Sequence, residues 1–168
     1  MLKRLPIFID PLRLAQQGCS LKGAIALSQM TRLRDSLCGV RGEAIIDWSF
    51  TTDEHHHLLI QGRTQAVLPM LCQRCLQLLE WPVDTTVALI ILTGDQTDEE
   101  VLLTGYETLT LTSTTVSLAA LVEDELILAL PIVAKHGQCP SNEYLSQMTL
   151  AEELARHPFS VLHKLKQH

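Results

Sequence analysis

The sequence predicts an α+β fold: an antiparallel β-meander, able to curl into a barrel-like form, packed by helices from both ends of the chain. Three observations point there. From Val40 to Phe50 the residues alternate, with Val40, Gly42, Ala44, Ile46, Trp48 and Phe50 on one face and Arg41, Glu43, Ile45, Asp47 and Ser49 on the other. That period of two marks a half-buried strand. Leu58 to Leu68 and Leu78 to Leu92 are two further long stretches, the second rich in Val, Ile and Thr, as strands are. Helix starts flank this β-rich middle at Asp10-Pro11, Ser117 and Pro158.

Taken in order, Leu5 to Asp10 alternates apolar residues and reads as a short strand. Asp10 then caps a helix with Pro11 in its first turn, carrying Leu12, Leu14 and Ala15 and stopping at Gly18. Leu21 to Ile25 makes a second short strand. Ser28 caps a helix through Leu37, with Met30, Leu33 and Leu37 along one face. Thr51 to His57 is polar and fits a hairpin loop, so the triplet His55-His56-His57 belongs to a turn. Pro69 ends the strand from Leu58, and Tyr106 to Leu111 is a shorter strand after the acidic loop Gly94 to Glu100. Ser117 opens a helix through Leu130 that Pro131 stops. Beyond it, Thr149-x-x-Glu152 has the capping-box pattern, and Pro158 opens a last short helix with Phe159, Val161, Leu162 and Leu165.

The chain of 168 residues suits one domain over 1–168, large enough for a real core. Hydrophobic residues are 46% and charged residues 19%, a globular rather than a disordered balance. No apolar run approaches the roughly 18 residues of a membrane span. Lys3 and Arg4 are followed by no secretory h-region. A cytoplasmic protein with no membrane partner is the expectation. A net charge of −6 disfavours bulk coating of nucleic acid. The basic residues gather at the two ends, Lys3, Arg4 and Arg13 at the start and Arg156, Lys164 and Lys166 at the finish. They form a basic patch if the ends meet, and solvated termini if they do not.

Cys72-Gln73-Arg74-Cys75 sets two thiols two residues apart, with Arg74 between them, and His136-Gly137-Gln138-Cys139 follows far downstream. Three chemistries suit this pattern. A redox pair should open a helix, whose dipole lowers the thiol pKa, whereas here Pro82 and a strand follow. A structural zinc would take Cys72, Cys75, His136 and Cys139 as a Cys3His set. Reduced thiols at a strand junction are the third option, and the one that suits Cys19 and Cys38 as small partly buried hydrophobes. An odd total of five cysteines argues against a disulfide framework.

In the helix from Ser117, Leu118, Leu121, Val122, Leu126, Leu128 and Ala129 share an apolar arc. Glu125 falls in its middle, while Glu123 and Asp124 fall at its edge or outside. An inward carboxylate is costly unless paired, so Glu125 is expected to have a structural role with Arg13, Arg74 or backbone donors as partners.

Four stretches together resemble the YceD family, the large ribosomal RNA subunit accumulation proteins. They are Leu5 to Pro11, Leu71 to Cys75, Val122 to Pro131 and His157 to Leu162. The resemblance implies a bacterial cytoplasmic protein needed for normal accumulation of large-subunit ribosomal RNA, with no established reaction. Many relatives carry paired cysteines at both the middle and the late positions. Here His136 stands where the first late cysteine would be.

The function expected is a non-enzymatic ribosome-biogenesis factor that binds large-subunit precursor ribosomal RNA, a large-subunit ribosomal protein, or both. Arg74 would present its guanidinium to a phosphate or a carboxylate, and Arg13, Lys3, Arg4, Lys164 and Lys166 would add salt-dependent attraction. Aromatic residues are only 4%, which argues against a stacking platform for single-stranded RNA and towards a protein contact. The competing class is a zinc- or thiol-dependent enzyme acting on ribosome precursors. A catalytic zinc needs an open position and a nearby base, and no His-Glu-x-x-His helix is present.

Overall fold

The structure, a computed structural model, describes residues 3–93 and 106–139. The acidic run of 94–100, the capping box at Thr149 and the Pro158 helix with Lys164 and Lys166 lie outside the described residues. In chain order the elements are β1 (Lys3–Arg4), β2 (Phe8–Ile9), α1 (Pro11–Gln16), β3 (Ser20–Ala26), β4 (Glu43–Thr52), β5 (Leu58–Leu71), β6 (Leu78–Thr93), β7 (Glu107–Leu111), β8 (Val116–Ser117) and α2 (Leu118–Leu128). Two 3-10 turns, Leu27–Gln29 and Leu33–Ser36, stand between β3 and β4.

β3 to β6 form the expected antiparallel meander. The outer strands differ: β1 runs parallel to β3, and β7 runs parallel to β6. The sheet order is β1-β3-β4-β5-β6-β7, with β2 and β8 as a separate antiparallel pair. The sheet stays open, which corrects the barrel-like expectation. Closure needs two edge strands that can pair along their length. β1 has 2 residues and β7 has 5, and neither pairs with the other.

Side-chain alternation sets the register. Ala44, Ile46, Trp48 and Phe50 of β4 point into the core, and so do Ile60, Thr64, Ala66, Leu68 and Met70 of β5. Leu79, Val83, Val87, Leu89 and Ile91 continue that face on β6. Trp48 lies opposite Gly62 and donates its indole N–H to Thr64 Oγ1 at 3.0 Å. That bond satisfies two buried polar groups at once. Gly62 is needed because β4 passes close by. A Cβ there would fall on the Asp47 carbonyl and come 2.7 Å from Trp48 Cα.

The helix ends follow their caps. Asp10 Oδ1 accepts from Arg13 N at 3.1 Å, and Ser117 Oγ accepts from Ala120 N at 3.3 Å. The helix expected from Ser28 to Leu37 is instead the two 3-10 turns, which bury Leu27, Met30 and Leu33. Spacing by three suits such turns. The amides of Arg32 and Leu33 are also taken by Glu123 of α2, whose Oε1 accepts from them at 2.6 and 2.9 Å. Arg32 Nε reaches Glu123 Oε2 at 3.1 Å, and Arg32 Nη1 pairs with Asp124.

The ion pair expected at Glu125 therefore sits two positions earlier in the helix, on Glu123. Glu125 is only 9% exposed, and among the described residues it has no hydrogen-bond or ion-pair partner. Arg74 is engaged elsewhere, and Arg13 has no bond to it. Burial raises the Glu125 pKa, and the charges of Glu107 and Asp124 push the same way.

Two predictions follow from this packing. Gly62→Ala should lower stability by about 2–3 kcal/mol, because the strand must shift to admit a methyl against backbone. Urea unfolding followed by Trp fluorescence reads it, and an unchanged midpoint would show that β4 does not pass so close. Glu125→Gln should stabilise the fold by about 1 kcal/mol at pH 7. A carboxyl with a raised folded pKa holds its proton more tightly when folded. Its cost is absent below the ordinary value of 4.5 and grows as pH rises through the folded value. The gain in melting temperature should thus vanish at pH 4, and a gain equal at both pH values would refute the assignment.

Candidate metal centre

β5 and β6 are joined at their far end by a short turn over residues 72–77. Leu71 and Leu78 make the last pair, and Cys72 N donates to Gln77 O at 2.9 Å. Leu76 N then donates back to Cys72 O at 2.8 Å. The chain can fold so tightly because Leu76 takes a left-handed conformation, φ 57. Glycine is the usual residue there, and a leucine costs on the order of 1–2 kcal/mol. The result is a knuckle that turns Cys72 and Cys75 the same way.

The late loop is fastened onto this knuckle by backbone. Gln73 N donates to Ala134 O at 2.8 Å, and His136 N donates to Cys72 Sγ at 3.4 Å. Ala134 is buried in the core, which anchors the loop behind His136. Arg74 completes the attachment, donating from Nε to Cys139 Sγ at 2.8 Å and from Nη2 to His136 O at 3.0 Å.

Cys72, Cys75, His136 and Cys139 thereby converge. Their ligand atoms all lie within 4.8 Å of one another. Cys72 Sγ and Cys139 Sγ are 3.7 Å apart, and Cys75 Sγ and His136 Nδ1 are 3.4 Å apart. Sulfurs bound to one tetrahedral zinc at about 2.3 Å stand about 3.8 Å from each other. A disulfide needs about 2.05 Å, and all five cysteines are free. The spacing fits a metal and does not fit a bridge.

The imidazole is oriented to match. His136 Nε2 lies 3.1 Å from Leu78 O. A carbonyl only accepts, so Nε2 carries the proton and Nδ1 keeps its lone pair toward the sulfurs. This outer hydrogen bond is the usual way a ligating histidine is held.

Thiol electrostatics differ between the two knuckle cysteines. Burial acts to raise the Cys72 pKa, yet the backbone N–H groups of Cys75, His136 and Arg74 outweigh it and bring the thiol to about 5. Cys75 moves upward, through burial and then its hydrogen bonds to Cys72 and Cys139. The hydrogen bond from Arg74 to Cys139 raises the guanidinium pKa further, so it stays charged. Three thiolates around Zn²⁺ leave about one negative charge, and Arg74 supplies the compensating positive one. A structural zinc would be held by these four side chains and would supply four bonds cross-linking the knuckle to the loop.

The other basic candidates among the described residues lie on different elements. Arg74 is exposed at the knuckle, Arg13 is exposed on α1, and Lys3 and Arg4 form the edge strand β1. Two of the contacts that fasten the loop, Gln73 N to Ala134 O and His136 Nε2 to Leu78 O, use backbone groups that leave no mark in the sequence.

A model of the family described as "Large ribosomal RNA subunit accumulation protein YceD" matches residues 60–166. That span contains the whole Cys3His set. A curated protein of Haemophilus influenzae, named "Large ribosomal RNA subunit accumulation protein YceD", is 32% identical over 172 residues, which is 98% of this chain and 97% of that protein. No solved structure matches the chain.

The geometry predicts about one zinc per chain, held by thiolate and imidazole. Cobalt substituted for zinc should show thiolate charge-transfer bands and the strong visible absorption of a tetrahedral ion. Cys139→Ser should lower metal affinity at least tenfold, and Arg74→Ala by a similar factor through the lost thiolate hydrogen bond. An octahedral cobalt spectrum would remove the Cys3His assignment.

Proposed function

The chain belongs to the YceD family, and from that premise we propose that it supports accumulation of large-subunit ribosomal RNA as a binding factor rather than a catalyst. The observation that carries this is the likeness to a protein named for that role, which runs nearly the full length of both chains. On this reading the factor works in the cytoplasm and binds large-subunit precursor ribosomal RNA, a large-subunit ribosomal protein, or both.

The site chemistry supports the non-catalytic part. All four positions around a zinc in the Cys3His set would be filled by the chain, leaving no vacant position for a reacting water. The knuckle leads into β6 rather than into a helix, unlike a thiol-disulfide exchange motif. Zinc here would fix the shape of a surface. It would hold the late loop on the hairpin and keep Arg74 at the rim, where its unused N–H groups face solvent. Arg74, with Arg13, Lys3, Arg4, Lys164 and Lys166, would supply basic contacts. The low aromatic content and the charge of −6 favour a protein as the direct contact.

Cells carrying only the Cys72→Ser variant should accumulate fewer large subunits relative to small ones on sucrose gradients, with normal amounts of the variant protein. Affinity capture of the native protein should retain its partner after nuclease treatment. A normal subunit ratio in the variant strain would sink the role assigned to the site, and capture lost entirely to nuclease would make RNA the direct contact.

A further inference from the structure

β7 joins β6 only from Leu89 onward, through the pair Leu89 and Glu107. Ahead of that point no described strand pairs with the same edge of β6. The last turn of α2 crosses this notch and leaves a cavity of about 320 Å³, lined by Thr85, Thr86, Ala88, Glu107, Glu125, Leu128 and Ala129. Glu125 reaches it from the helix and Glu107 from the start of β7.

The electrostatics of this cavity are one-sided. Glu125 is 9% exposed and has no partner among the described residues. Glu107 likewise has no ion-pair partner among them. Asp124, the next acid on α2, is already paired with Arg32. Two carboxylates thus face one space with no cation between them. No donor among the described residues meets the Glu125 carboxylate, and burial, with the charges of Glu107 and Asp124, raises its pKa. A fold tolerates such a group most readily where a ligand compensates it.

We propose that this notch is a binding site for a cationic side chain, an arginine or lysine presented by a basic polypeptide. Size and donor type select that class. Bulk water occupies about 30 Å³ per molecule, so the cavity has room for an extended group rather than a bare ion. Among the described residues two acidic side chains line it, fewer than the several oxygen ligands that a calcium ion takes. A guanidinium carries five N–H donors in one plane, and two carboxylates with the Thr85 hydroxyl, which lies on the same face of β6 as the residue paired with Glu107, offer acceptors. Leu128 and Ala129 give the aliphatic stem a surface to lie against. Nucleic acid has no such cation, so the site is selective for protein. The inference rests on the binding-factor reading above and gives that partner its chemistry.

A fluorescein-labelled hexa-arginine peptide, followed by anisotropy at low salt, tests it on the full-length protein. Glu125→Gln and Glu107→Gln should each weaken binding about tenfold, and the double variant should lose less than the product of the two, because both acids hold one group. Glu54→Gln, in the turn between β4 and β5, should bind like the native protein. Equal binding by all variants would mean that the peptide answers only to net charge, and would overturn the site. A variant-sensitive displacement by millimolar Mg²⁺ would make it a metal site and overturn the class of ligand. Should Glu125→Gln fail to fold, the exposed Glu107→Gln carries the test alone. Failure here leaves the accumulation role standing, since that role falls only with normal subunits in the Cys72→Ser strain.

Discussion

The register between β5 and β6 is the constraint on which the rest of this molecule depends. The two strands pair without interruption from Leu58 opposite Ile91 to Leu71 opposite Leu78. Ile60, Thr64, Ala66, Leu68 and Met70 must all face the core together. A slip of one residue would turn every one of them to solvent. The same register decides where the hairpin ends, and hence that Cys72 enters the core just as the chain turns. Cys72 is fully buried and packed with the core residues, while Arg74 two positions on is exposed. A long, well-specified hairpin is therefore what carries a thiol and a guanidinium to one fixed rim.

A second, polar constraint joins the helical layer to the rest. Glu123 is 4% exposed and spends its carboxylate on the Arg32 and Leu33 amides and on the Arg32 side chain. It caps a 3-10 turn from a distance of about ninety residues in sequence. Arg32 is half exposed, so the ion pair itself is screened and contributes little. The amide hydrogen bonds matter more, because those N–H groups would otherwise be buried without acceptors. Glu123 and Glu125 differ in what faces them, not in how deeply they are buried. One carboxylate has its donors supplied by the fold, and the other has none.

Much of this was legible from the residues. The meander follows from period-two alternation, since a strand half buried on a core must alternate, and both helix caps were visible as Asp10-Pro11 and Ser117. The Cys3His set could be named from spacing, because thiols and imidazoles two residues apart share a turn. What the residues do not show is long-range or carried by backbone. Met30 and Leu33 fit a 3-10 turn as well as a helix, and the Glu123 carboxylate that takes the turn's amides is about ninety residues away. Helical angle puts Glu125 inward, but depth alone does not say where a cation stands. The knuckle lacked its usual sign, a glycine after the second cysteine, and Leu76 occupies that left-handed position instead. Parallel pairing of the outer strands has no local signature at all, as it is set by where the connecting chain returns.

Leu76 bears on what the knuckle is for. A leucine with positive φ is strained, and this one is also exposed, so core packing does not compensate the cost. The turn is held by other means: the Cys72 carbonyl accepts from the Leu76 amide, the loop docks through Gln73 and Ala134, and Arg74 clamps Cys139. All of these contacts help to gather the ligand atoms. Donors held by protein contacts lose less conformational freedom on binding, so the same four bonds yield tighter retention. In small domains that are unfolded without zinc the metal creates the fold, whereas here apolar side chains build the core and the metal would stabilise the rim. That distinction suits a protein whose core is already built by the sheet. It leaves the cross-link free to act locally, holding one loop and one guanidinium in register with a hairpin end that the hydrophobic core has already set in place.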